Sequence, residues 1–201
     1  MILINNILES EMYLNDIQAV IFDLDDTLYS EKSYVRSGFK KIAEFFEKPS
    51  MEDELWNVFI KGGKPIDEIL KLEGLLDFKE KSLEIYRFQV PDIKLYYGVP
   101  ELIKRIQKEK RVGIITDGRP EGQYAKIRAL GLNVDELIIT DELGGIEFRK
   151  PNEMAFRLMK MKMDVPYEKM VYIGDNIKKD FIAPKKLGMR SIWFKNPDGL
   201  Y

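Results

Sequence analysis

Five short apolar runs, at 19–22, 111–116, 136–140, 170–173 and 190–193, have the length of strands and are bounded by polar residues. Apolar positions at helical spacing fill the intervals 100–110, 121–130, 151–161 and 177–187. Strand and helix therefore alternate, which predicts an α/β fold: a doubly wound, five-stranded parallel sheet covered by helices on both faces. The alternation stops after the first strand and resumes only near residue 98. In between, Val35, Phe39, Ile42 and Phe46 recur at steps of three and four, followed by Leu55, Val58 and Phe59, by Ile66, Ile69 and Leu70, and by Leu83, Tyr86 and Val90. Four short amphipathic helices fit this stretch. Pro49 and Ser50 open the second, Gly62 and Gly63 close it, Gly74 ends the third and Pro91 the fourth. The chain thus divides into a core, residues 1–29 with 98–201, and a helical insertion, residues 30–97. The first seventeen residues form an extra helix or strand outside the repeating pattern and carry no assigned function.

The chain has no histidine and no cysteine. A nucleophile, proton carrier or metal ligand must then come from carboxylates, hydroxyls, lysines and the backbone. The first run ends in Asp23, Leu24, Asp25, Asp26 and Thr27. Side chains on a strand alternate, so Asp23 and Asp25 point the same way while Leu24 turns to the core. An Asp-rich turn capping whatever follows accounts for the same residues. Three later clusters shift the balance: Thr116, Asp117 and Gly118; Lys150 before Pro151 and Asn152; and Gly174, Asp175 and Asn176, with Asp180 beyond. Each lies at the end of a strand or the start of a helix, where doubly wound sheets bind their ligands.

With these four segments in order, the chain resembles the haloacid dehalogenase-like (HAD) superfamily of phosphohydrolases over roughly residues 18–193. The resemblance implies a Rossmann-like core in which Asp23 attacks phosphorus and forms a phosphoaspartate. It implies that Asp25 protonates the leaving alcohol and then takes a proton from water, so Asp25 must begin neutral, with its pKa raised by burial and neighbouring carboxylates. Thr116 would hydrogen-bond a phosphoryl oxygen, joined by the backbone N–H groups of Asp117 and Gly118. Pro151 suits a first helical position, which would set the Lys150 ammonium beside a positive helix end, favouring phosphate.

Carboxylates of Asp23, Asp25 and Asp175 brought together would repel one another by roughly 4 kcal/mol per pair at about 4 Å and an effective dielectric near 20. A hard cation resolves the conflict, and with a phosphate substrate the ion is Mg²⁺, held by the carboxylates of Asp23 and Asp175 and the backbone carbonyl of Asp25. Asp180, four residues beyond Asn176 on one helical face, would with it steady metal-bound waters or Lys150. Asp26 and Thr27 shape the turn.

The insertion is similar to the small helical cap of the superfamily's first cap class, which makes 30–97 a lid with hinges near Tyr29 and Ser30 and near Tyr96, Tyr97 and Gly98. A helical subdomain that never moves fits the same pattern. A lid favours a small phosphorylated metabolite, with sugar phosphates and nucleotides leading. Tyr29, Glu31, Tyr34 and Arg36 enter the lid, and Lys64 and Arg119 are placed to meet a second anionic group. For each of these, plain surface solvation is the simpler reading. Asp25 argues against the dehalogenases and phosphonate-cleaving relatives, which lack an acid there. A phosphomutase shares every core residue named. A non-catalytic module that binds phosphorylated ligands would be expected to lose Asp23 or Asp175, and both are present.

Composition adds limits. In 201 residues and 23.6 kDa, 32 basic residues nearly balance 34 acidic ones, for a net charge of −2, so no nucleic-acid-binding surface is indicated. No apolar stretch reaches membrane-spanning length. The N-terminus lacks a basic leader and a small-residue cleavage site. These features, with the missing cysteines, predict a cytoplasmic protein.

Overall fold

The computed structural model describes residues 1–200. Its strands are β1 (Ile2–Ile4), β2 (Ala19–Phe22), β3 (Arg111–Thr116), β4 (Glu136–Ile139), β5 (Met170–Gly174) and β6 (Arg190–Phe194). They form one all-parallel sheet in the order β1-β6-β5-β2-β3-β4. The sheet has six strands where the sequence predicts five. The sixth is β1, which pairs Ile2 with Ile192. Three residues at a sheet edge, with Leu3 half exposed, are too few to show a strand's pattern.

Helices α1 (Glu31–Phe45), α2 (Ser50–Ile60), α3 (Pro65–Leu72) and α4 (Lys79–Arg87) lie between β2 and β3, as the spacing predicts. The remaining helices are α5 (Val99–Ile106), α6 (Pro120–Ala129), α7 (Met154–Met163) and α8 (Ile182–Leu187). Every residue of β2 is fully buried, because a central parallel strand is covered on both faces. On one face Val20, Phe22, Val112, Ile114, Val171 and Ile173 pack against α5 and the N-terminal segment. On the other, Ile21, Ile115 and Tyr172 pack against Phe156, Met159 and Met163 of α7. The four inserted helices enclose a separate cluster that includes Val35, Phe39, Ile42, Met51, Leu55 and Ile69.

Two helix starts differ from the pattern. Helix α7 begins at Met154 rather than Pro151, because the Asn152 side chain accepts from Met154 N at 2.9 Å and turns the chain first. Lys150 therefore precedes a turn, not the helix end, and its peptide bond to Pro151 is cis. Only Ile182–Leu187 of the expected 177–187 helix is α-helical. The preceding turn is folded by Asp180, whose Oδ2 accepts from Asn176 N at 2.9 Å.

The chain leaves and re-enters the core side by side: Tyr29 bridges Leu95, and Tyr96 N donates to Leu28 O at 2.9 Å. The C-terminal tail crosses the same place. Asn196 Nδ2 donates to Asp26 O at 2.7 Å and to the Tyr96 hydroxyl at 2.8 Å, and Leu200 N donates to Asp26 Oδ2 at 2.8 Å. No helix among the described residues is long and apolar enough to cross a membrane.

Candidate active site

Asp23 follows β2 and Asp175 follows β5, and because Phe22 is in register with Ile173 the two acids emerge at neighbouring strand ends. The sheet reverses its winding direction at this point, where doubly wound folds open a crevice. Asp180 swings back from the next turn, and Gly174 makes room for it, since a Cβ there would collide with the Asp180 carboxylate. Carboxylate oxygens of Asp23, Asp175 and Asp180, all buried, lie within 4.8 Å of one another. The fully buried Lys150 ammonium meets them, 2.6 Å from Asp23 Oδ1 and 2.9 Å from Asp180 Oδ1, and donates to the Tyr172 hydroxyl at 2.8 Å. The contact to Asp180 is an ion pair too oblique to make a hydrogen bond.

One ammonium against three carboxylates leaves an excess of negative charge. Burial raises Asp23 to about 6 even with Lys150 beside it. Burial, then the charges of Asp23 and Asp180, raise Asp175 to about 8. Burial opposes the charge on Lys150, but Asp180 and Asp23 outweigh it and lift its pKa well above the ordinary value. The Oδ2 of Asp175 is buried without a hydrogen-bond partner, while Oδ1 receives a 3.3 Å bond from the Thr27 hydroxyl. An unpartnered, charge-crowded oxygen among hard ligands suits a small divalent cation.

Asp25 is in the opposite condition. Its Oδ1 accepts from Lys126 Nζ at 2.7 Å and from the Tyr29 hydroxyl, and its Oδ2 accepts from Gln123 Nε2 at 3.1 Å. Burial raises its pKa, but the charge and hydrogen bond of Lys126, together with the hydrogen bonds of Tyr29 and Gln123, outweigh burial and hold it below the ordinary aspartate value. The expectation of a raised Asp25 is therefore corrected: the neighbour that decides its charge is a lysine, not a carboxylate. Lys126 is itself buried, 4.4 Å from the centre of the Tyr34 ring on α1.

Thr116 ends β3 with its hydroxyl buried and unpartnered. The Asp117 carboxylate is engaged internally, by the Thr140 hydroxyl at 3.0 Å, Lys150 N at 3.0 Å and Lys179 Nζ at 2.8 Å. It thereby fixes the loop that carries Lys150. Gly118 has φ of 138°, and a Cβ there would lie 2.6 Å from Gln123 Nε2, the amide that reaches Asp25. Asn176 accepts from Lys178 N at 3.0 Å and lines the cavity.

That cavity, of about 490 Å³, lies between the strand ends and the inserted helices. Asp23, Asp25, Asp117, Gly118 and Asp175 form its floor, and Glu31, Tyr34, Leu83 and Tyr86 its opposite wall. Arg119 also lines it, whereas Lys64 is exposed outside it. Arg36 is taken up by Glu52 and Asp53 within the insertion, and Tyr29 is fully buried. Lys126 and Lys179 were not marked by any sequence motif. The step of three from Gln123 to Lys126 on one helix face, just after a site-forming strand, is the signal that could have found the first.

A parallel sheet with an acidic cluster and a buried lysine at its carboxyl edge, beside a helical insertion, defines a Rossmann-like α/β enzyme. The chain belongs to the haloacid dehalogenase-like hydrolase family, whose model matches residues 17–188. It is 29% identical over 194 residues to the glyceraldehyde 3-phosphate phosphatase of Methanocaldococcus jannaschii, covering 88% of this chain and 84% of the relative. Identity to the Pyrococcus furiosus enzyme of the same name is 27% over 210 residues, covering 89% and 81%. Among solved structures, the HAD-hydrolase YfnB of Bacillus subtilis, bound to magnesium, matches with a TM-score of 0.62 at 20% identity, covering 88% of this chain and 86% of that one. A HAD-superfamily hydrolase of Geobacter sulfurreducens matches at 0.67 and 14% identity, covering 90% and 89%.

Proposed function

We propose that this HAD-like phosphoric monoester hydrolase releases phosphate from a small metabolite ester through a phosphoaspartate on Asp23, with Mg²⁺ held by Asp23, Asp175 and the backbone carbonyl of Asp25. The single observation that carries the reading is the buried cluster of Asp23, Asp175 and Asp180 served by one lysine, with an Asp175 oxygen left unpartnered. When bound, the metal neutralises the acids and the phosphoryl oxygens that approach them.

The chain's own residues divide the remaining work. The Asp23 carboxylate attacks phosphorus in line as the ester P–O bond breaks. Lys150 anchors Asp23 by their 2.6 Å contact and offsets the repulsion between it and an anionic target. The Thr116 hydroxyl and the backbone N–H groups of Asp117 and Gly118 receive the phosphoryl oxygens. The Lys126 ammonium, 2.7 Å from Asp25, sets a proton beside that carboxylate. The pair gives that proton to the leaving oxygen, then recovers one from the water that cleaves the phosphoaspartate. Asp180 and Asn176 steady Lys150 and the acidic loop from behind. The inserted helices, residues 30–97, act as a lid on the core of 1–29 and 98–201.

The relatives' names support a small substrate: several act on glyceraldehyde 3-phosphate, and a Thermotoga maritima relative, 25% identical, is a phosphorylated carbohydrates phosphatase. The test is phosphate release from a panel of phosphorylated metabolites with Mg²⁺ added or chelated, for native protein and Asp23→Asn. Release by the native protein that needs Mg²⁺ and vanishes in the variant supports the reading, and no release from any ester removes it.

A further inference from the structure

Glu31 opens α1, where the chain enters the insertion. Its backbone N–H is held at 2.9 Å by Asp26 Oδ1, which fixes the residue to the same turn that carries Asp23 and Asp25. The side chain is half-buried in the cavity wall. Among the described residues its carboxylate takes no hydrogen bond and no ion pair. Burial, then the negative charge of Asp25, push its pKa up to about 7, with Lys126 acting in the opposite sense. A half-buried acid with no protein partner is left to water alone, and a hydrogen-bond donor arriving in the cavity can take water's place.

The surroundings restrict which donor. Lys126 is near enough to influence Glu31, so an ammonium ligand would face a like charge. A hydroxyl suits both neighbours, because it donates to the carboxylate and accepts from the lysine. The insertion adds Ile66, Leu83 and Tyr86 to the same cavity, an apolar wall for the C–H face of a ring or chain. A cavity of about 490 Å³ has room for more than a phosphoryl group alone. We propose that Glu31 is the specificity-determining residue of the site, accepting a hydrogen bond from a hydroxyl of the leaving group, so that the preferred substrates are phosphorylated sugars or polyols rather than aryl esters without a hydroxyl. This rests on the phosphatase reading above.

The experiment compares native protein, Glu31→Gln and Glu31→Ala on glyceraldehyde 3-phosphate, ribose 5-phosphate, AMP and p-nitrophenyl phosphate, which has no hydroxyl to offer. The quantity read is the ratio of kcat/KM for each sugar phosphate to that for the aryl ester. A hydrogen bond to a charged group is worth enough to lower this ratio roughly 10-fold to 100-fold in Glu31→Ala, chiefly through KM, with Glu31→Gln between. An unchanged ratio in both variants overturns the proposal, including the case where all esters lose equally because Glu31 serves only the fold. A native preference for the aryl ester overturns it as well. If the native protein hydrolyses none of the four esters, nor any of the wider panel, the phosphatase reading itself has failed and takes the proposal with it.

Discussion

Around Asp23 the protein gathers three carboxylates against a single ammonium, whereas around Asp25, two residues further along the chain, one carboxylate meets an ammonium, a phenol and an amide. The first region is left with an acidic surplus and raised pKa values at Asp23 and Asp175. The second is neutralised by the protein itself, and Asp25 is held down. One strand end therefore holds two electrostatic settings: an acidic surplus that suits an external cation, and a carboxylate balanced by an internal one.

The sharpest way to separate the two regions is to remove each carboxylate in turn. Asp23→Asn takes away the proposed nucleophile and is expected to cut turnover by about 10⁴-fold or more. Asp25→Asn removes only the proposed proton transfer and should cost about 10²-fold to 10⁴-fold. Steady-state rates on one alkyl phosphate and one aryl phosphate make the contrast. The aryl ester, whose leaving group needs little protonation, should suffer less from Asp25→Asn than the alkyl ester does. Equal losses on both esters would erase the division of labour.

A milder variant, Lys126→Met, leaves both acids in place. Burial then dominates at Asp25, so its pKa rises and the limb of the kcat/KM profile that reports it moves to higher pH. The rate on the alkyl ester should fall roughly tenfold with it. A limb that stays where it was would show that Lys126 does not govern Asp25.

The smallest effect concerns stability. Asp23 and Asp175 keep protons in the folded chain up to about 6 and about 8, while the unfolded chain releases them near 3.8. Over that interval the folded state binds more protons than the unfolded state, so metal-free protein should lose stability as pH rises from about 4 to about 8. Mg²⁺ should reverse the trend at the upper end by favouring the ionised acids. Thermal unfolding with chelator or with Mg²⁺ checks both signs, and a chelated protein whose Tm climbs across this range would contradict them.

Much of this arrangement is legible in the residues alone. Continuous apolar runs such as Ala19, Val20, Ile21 and Phe22 announce strands buried on both faces, and every polar cluster singled out lies at one edge of the sheet. The helical insertion follows from spacing. Three features escape for different physical reasons. Strand β1 is too short to carry a pattern. The turn before α8 depends on Asp180 reaching back to Asn176, a local bond that competes with the helix its neighbours favour. Lys126 sits beside Arg128 in the basic last turn of α6, which looks solvated until the fold turns one face of the helix toward Asp25. Its partner lies 101 positions away in the chain, and no local pattern encodes that distance.

The C-terminal tail behaves as a latch on the catalytic turn. Asn196 and Leu200 grip Asp26, whose φ of 52° is a left-handed backbone shape that few residues besides glycine, asparagine and aspartate adopt. Trimming the chain from Asn196 onward would release that turn while leaving the sheet's strands whole, and the damage would appear first as sluggish chemistry rather than as unfolding. For the same reason a fusion partner or surface tether belongs at the opposite terminus, where β1 forms only the outer rim of the sheet.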